Sequence, residues 1–304
     1  MAKKRSNKVK SGKSWYVFNA LAIFITGFLA LFCLIPFLII ISSSFTDNTY
    51  ILRNGYTLWP KEFSVEAYKT LFMYPQTIIR AYAVTIGVTA VGTLLGLIII
   101  SSTGYVLARK DFRYRNTVSF LIYFTSIFGG GLVPWFMMYT NVLGLKDSYW
   151  ALIIPSLMSP FLVILMRTFI TSSVPDAILE SAKIDGAGDL RIYLQIILPV
   201  IKPALATIGL FLALGYWNEW YLSSIFITSP EKYQLQFYLY NMINTAKAVN
   251  ELAAKGAANV SIKKLPKESV KMAMAVVATG PVFLFYPFVQ KYFVQGITIG
   301  AVKG

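Results

Sequence analysis

The chain has 304 residues, 56% of them hydrophobic and only 13% charged, with a formal net charge of +15. One soluble core of that length needs far less apolar surface, so the excess must face lipid. Histidine is absent and Cys33 stands alone inside an apolar run, which excludes a disulfide framework, a thiolate metal cluster within the chain and the commonest general base. The basic residues sit in the tail and between apolar stretches, so membrane topology accounts for them better than a nucleic-acid groove does.

In chain order, residues 1–16 carry Lys3, Lys4, Arg5, Lys8, Lys10 and Lys13 without an acid and read as a basic cytoplasmic tail. Gly12-Lys13-Ser14 imitates the end of a phosphate-binding loop, but position 7 is Asn7 where a glycine is needed, and no strand precedes it. The apolar stretch at about 17–41 is long enough for a tilted span, too long for a signal-peptide core, and lacks a small-residue cleavage site. It reads as an uncleaved first span, ended by Ser42, Ser43, Ser44 and Asp47. The mixed polar and aromatic segment up to Arg80 reads as an external loop with a turn at Trp59-Pro60 and a short helix from Ser64.

Further apolar stretches at about 81–107, 117–140, 149–169, 204–227 and 272–293 make six predicted spans in an all-α membrane domain over 17–304. Cytoplasmic connections hold the excess of Lys and Arg. The tail, the turn with Arg109, Lys110, Arg113 and Arg115, and the loop at about 172–202 are basic, whereas the turn after the third stretch has only Lys146. Both termini and the 172–202 loop are therefore expected inside the cell. The 228–271 connection has seven lysines but is long enough for charge control to weaken, and it is read as external. Small residues along the second stretch, among them Gly87, Gly92, Gly96, Ser101, Ser102 and Gly104, suit close helix packing. Gly129-Gly130-Gly131 and Pro134 allow a bend in the third.

The 172–202 loop largely coincides with the long charged segment Pro175 to Pro203. It predicts two short helices joined by a glycine turn at Asp185-Gly186-Ala187-Gly188-Asp189. Pro175 would take the first helical position, Ser173 or Asp176 would cap the first helix, and the second would stop before Pro199. Glu180-Ser181-Ala182, three residues, Gly186, nine residues, then Ile196, Leu198 and Pro199 resemble the cytoplasmic loop of permease subunits of bacterial ABC importers, with Ser181 in place of an alanine. Leu132-Val133-Pro134, Leu143-Gly144-Leu145, Ala151 to Pro155 and the terminal Gly296 to Gly304 are similar to the carbohydrate branch, particularly the second permease of maltose-type oligosaccharide importers.

That resemblance implies a heterodimer with a second permease, two ATPase subunits and an extracellular sugar-binding protein, periplasmic or lipid-anchored. It implies no cofactor in this chain and no covalent catalysis, since ATP and Mg would bind the ATPase. It makes the loop a coupling segment, with Ala177, Glu180, Ser181, Ala182, Asp185 and Gly186 as its candidate docking residues. A bare intrahelical Glu180–Lys183 ion pair is the competing role for Glu180.

Tyr216-Trp217-Asn218-Glu219-Trp220-Tyr221 begins about fourteen residues into the fifth stretch, some 20 Å along a helix from its start. Polar acceptors among aromatic rings suit a sugar, so a translocation path is one reading. Hydrogen bonding to a neighbouring helix with tryptophans in the interfacial belt is a second, and docking of the binding protein a third. Another cargo for an importer, such as an amino acid or anion, is compatible with the loop motif. An ion-coupled secondary transporter would show inverted repeats and mid-membrane ionisable residues, and an intramembrane enzyme would show a nucleophile with its base; neither pattern is clear.

Overall fold

A computed structural model describes residues 12–254 and 268–283. The described chain is helical throughout, and its single extended pairing is the antiparallel bridge between Thr46 and Phe63. Its residues form two compact units, up to Met73 with 268–277, and Tyr74 to Ala254 with 278–283.

In the first unit α1 runs over Lys13–Ser44, α2 over Asn48–Asn54 and α3 over Glu66–Leu71. The first apolar stretch is thus one helix, with the hydrophobic surface expected of a lipid-facing span. Asp47 does not merely end it: its carboxylate accepts the Thr49 amide at 2.7 Å and starts α2, a helix that the mixed composition concealed. The turn around Trp59-Pro60 and the short helix after Ser64 are present, the latter as α3, and Phe45 stacks on Phe63 across the bridge at 5.8 Å. Residues 268–283 are helical, and Glu268 accepts the Tyr56 hydroxyl at 2.9 Å. The sixth stretch beyond residue 283 and the terminal Gly296 to Gly304 lie outside the described residues.

The second unit is organised around α4, Pro75–Ala108, which begins six residues before the expected start because Pro75 takes its first turn, where the missing N–H costs nothing. It packs along α8 and α12. Gly92, Gly96 and Gly104 make this possible: a Cβ on Gly92 would lie 2.5 Å from the Tyr216 ring, and one on Gly104 would lie 2.6 Å from Met166 Cγ. Gly87 has nothing within 4 Å, so it lacks that packing role.

The third stretch is no straight rod. Helices α5, Arg115–Ile127, and α6, Leu132–Met137, meet at 115°, with Gly131 at φ 87° in the break. A π-helical turn, Met138–Val142, follows. Next come α7, Trp150–Ile153, and α8, Pro160–Ser173, at 50° to each other. The 172–202 loop holds α9, Asp176–Ile184, α10, Asp189–Ile192, a π-helical turn at Tyr193–Ile197 and α11, Leu198–Val200. Then α12, Lys202–Trp217, α13, Tyr221–Phe226, and α14, Leu235–Ala254, complete the unit. Two described helices are long and apolar enough to cross a bilayer, and counting each bent pair as one span raises that number to at most five.

Helix α14 lies in a connection whose lysines drew attention away from it. Its first turn is fixed by buried bonds: the Leu235 amide donates to Thr85 Oγ1 at 2.8 Å, and Gln234 joins Ser223 Oγ to the Tyr216 carbonyl.

Candidate functional site

The segment from Pro175 to Val200 forms an elbow. Pro175 is the residue before α9 and not its first helical position, and no side chain caps that helix. Asp176 is instead ion-paired to Lys110, and its position in the first turn favours the helix dipole. The turn after α9 is a Schellman motif: the Gly186 amide donates to the Lys183 carbonyl at 3.0 Å and the Ala187 amide to the Ala182 carbonyl at 2.9 Å, with Gly186 at φ 77°. The second arm does not stop before Pro199. The wider turn at Tyr193–Ile197 carries the chain past the proline, and the sharp change of direction, 82°, comes at Ile201.

Of the predicted docking residues, Ala177, Glu180, Ser181, Asp185 and Gly186 are exposed. Ala182 is buried at 8% and belongs to a core with Ile100, Met166, Ile192 and Ile197, so its small size serves packing within this chain. Lys183, which could have paired with Glu180, reaches Asp111 at 2.5 Å. Ser181 donates back to the Ala177 carbonyl. The turn also presents two residues that the charge pattern had hidden, Ile184 at 86% exposure and Leu190 at 71%. Two large aliphatic side chains exposed on the same turn beside charged neighbours make it a candidate interaction surface.

Three consecutive residues at the end of α4 hold the elbow. Arg109 makes a forked contact with Asp111, through Nε to Oδ1 at 2.9 Å and Nη2 to Oδ2 at 2.5 Å, and its Nη1 reaches Asp189 at 2.5 Å. Arg109 and Lys183 hold the Asp111 carboxyl well below the usual carboxylate range, and the hydrogen bonds that Arg109 donates to Asp111 raise its guanidinium. Beneath them Tyr193 bonds to Ser101 Oγ at 2.6 Å and stacks on Tyr105 at 5.6 Å. A small cavity of about 100 Å³ lies alongside, between Tyr105, Arg109, Ile170, Val174 and Leu179. The exposed Lys110–Asp176 and Lys183–Asp111 pairs are each worth only ~0.2–1 kcal/mol, so these ties set geometry while the apolar layer supplies most of the adhesion.

The aromatic sextet divides in two. Tyr216 is buried and donates to the Ile153 carbonyl at 2.9 Å, and Trp217 is buried with its Nε1 bonded to the Ala278 carbonyl at 3.0 Å. Both pack helices. Glu219 accepts the Tyr221 and Leu222 amides at 2.7 and 2.9 Å, so it caps α13. Asn218, Trp220 and Tyr221 are exposed, and α14 adds Gln236, 3.4 Å from Asn218, and Tyr240, whose ring lies 4.8 Å from that of Trp220. Nothing in the sextet points to the last two, because they lie eighteen and twenty residues from their partners, in a connection.

Among known proteins, the sequence profile of the family described as "Binding-protein-dependent transport system inner membrane component" matches residues 96–299, a range that contains the whole elbow. The chain is 37% identical over 284 residues to the polygalacturonan/rhamnogalacturonan transport system permease protein YtcP of Bacillus subtilis (strain 168), which spans 92% of this chain and 97% of that one. It is 35% identical over 292 residues to protein LplC of the same organism, spanning 96% and 97%. A solved chain from a bacterial ABC transporter involved in the import of the acidic polysaccharide alginate superposes with a TM-score of 0.75 at 30% identity, covering 94% of this chain and all of that chain.

Proposed function

The chain belongs to the inner membrane components of binding-protein-dependent transport systems, and we propose that it is one permease of an ATP-driven importer for an oligosaccharide. Supporting the cargo class are the transport-system name of YtcP and the alginate importer, both similar along almost the whole chain. The observation that carries the mechanism is the elbow itself, a Schellman-turned corner on which Ile184 and Leu190 are exposed.

In this reading the elbow is cytoplasmic, as are both termini, and docks into a separate ATPase subunit. Ile184 and Leu190 enter the docking groove, with Glu180 and Asp185 beside them. A second permease completes the membrane path, two ATPases bind ATP and Mg, and an extracellular binding protein delivers the sugar. Closure of the ATPases displaces the elbow and biases the spans between outward and inward openings. This chain makes and breaks no covalent bond. Asn218, Trp220 and Tyr221 line the path, where ring faces take sugar C–H surfaces and the amide takes hydroxyls.

Proteoliposomes holding the full importer test this. ATP-dependent accumulation of an oligogalacturonide or of a neutral oligosaccharide is expected, and none when the ATPase carries a hydrolysis-dead active site. Replacing Trp220 with Ala should lower uptake about tenfold, the scale of one stacking contact of roughly 1–2 kcal/mol. Accumulation that continues with the dead ATPase would overturn the reading.

A further inference from the structure

Helix α4 is not consecutive in the chain with the elbow, whose arms continue into α8 on one side and α12 on the other. Yet the three residues that follow α4 touch the elbow at three separated points. Lys110 meets Asp176 at the start of α9, Asp111 meets Lys183 at its end, and Arg109 meets Asp189 in the first turn of α10. Two of the three contacts are linked, because the Asp111 carboxylate that receives Lys183 also receives the fork of Arg109, whose third nitrogen reaches Asp189, so the arms are cross-braced through one turn of chain.

Within α4 itself, Ser101 and Tyr105 reach Tyr193 on the second arm, by a hydrogen bond of 2.6 Å and a stacked ring. Arginine suits the centre of such a brace, because its planar fork can hold one carboxylate with two donors and still aim a third at another. Three pairs distributed over two helices also restrain rotation, which a single pair cannot.

We propose that Arg109, Lys110 and Asp111 are positioning residues that lock the elbow to α4, so that displacement of the elbow moves α4 directly and not only through α8 and α12. The proposal rests on the reading of the elbow as the ATPase-docking segment. It gives α4 the central part in transmission: Gly92, Gly96 and Gly104 let it seat deeply against α12 and α8, and a rod so seated carries both neighbours with it.

The test uses the complete importer in proteoliposomes, reading oligosaccharide uptake and ATP hydrolysis together. Replacing Asp111 with Ala, and separately Arg109 with Ala, should leave membrane content and subunit assembly normal while uptake per ATP falls at least fivefold. Then Asp111 and Lys183 are both replaced by Cys in a Cys33→Ser background and joined by a short bismaleimide. Because the lock stays closed through the cycle, the joined protein should regain coupled uptake that the unjoined one has lost.

Normal uptake per ATP in both alanine variants would overturn the proposal, and so would arrest of transport by the crosslink, which would mean that the contact must open in each cycle. Gly186→Val separates this failure from failure of the elbow reading. If Gly186→Val uncouples uptake while the alanine variants do not, only the lock is lost. If none of them affects coupling, the elbow reading falls as well.

Discussion

Among the described non-glycine residues, Asp147 alone has a positive φ, 55°. Its carboxylate accepts the Thr228 and Ser229 amides at 3.0 Å, Ser229 Oγ at 2.6 Å and Lys232 Nζ at 2.8 Å, and its own amide donates to the Phe226 carbonyl at 2.9 Å. The Lys232 ammonium, first, and the Ser229 hydroxyl and amide hold its carboxyl below the usual range. Because the folded pKa lies under the unfolded value of ~3.9, the stabilisation is complete above about pH 4 and is lost as pH falls through the folded value. Thermal unfolding in detergent should show this. Asp147→Asn should melt a few degrees below the natural protein at pH 7 and lose less than it does on acidification to pH 3; equal melting curves would refute the tie. Nothing in the local string Lys146-Asp147-Ser148 shows these partners, because they lie about eighty residues away.

At the scale of helices, the apolar period and length revealed the long elements, and the glycine turn at Gly186 was legible because a positive φ there needs no side-chain partner. Helix ends were less legible. The second apolar stretch reads as starting near residue 81 and Pro199 as a stop, yet Pro75 is cheap in the first turn of α4 and Pro199 is absorbed by the π-helical turn before α11. The sextet at 216–221 showed the right chemistry but not its division, since whether Tyr216 faces Ile153 or a sugar depends on how closely α4 and α12 approach. That approach makes its own prediction. Gly92→Ala places a methyl group against the ring of Tyr216, itself fixed by its bond to Ile153, and should destabilise the protein by about 1–3 kcal/mol. Gly87→Ala, with nothing within 4 Å, should be neutral or slightly stabilising through helix propensity. Equal unfolding of the two variants in denaturant would refute the packing role of Gly92.

At the scale of the whole molecule, the membrane class followed from composition and the family from the spacing between Glu180 and Pro199, because both are properties of the chain alone. The docking face was not legible in the same way. The acids carry the charge pattern, whereas the most exposed large apolar side chains of the elbow are Ile184 and Leu190, and Ala182 turns inward. Cys33 is the sole cysteine, so a single reporter thiol can replace it. The direct test is Ile184→Cys in a Cys33→Ser background, carried in the assembled importer and treated with a thiol-to-amine crosslinker in intact membranes. The account predicts a covalent adduct with the ATPase subunit, protected from a membrane-impermeant maleimide applied outside the cell. No adduct, or labelling of that cysteine from outside, would contradict it.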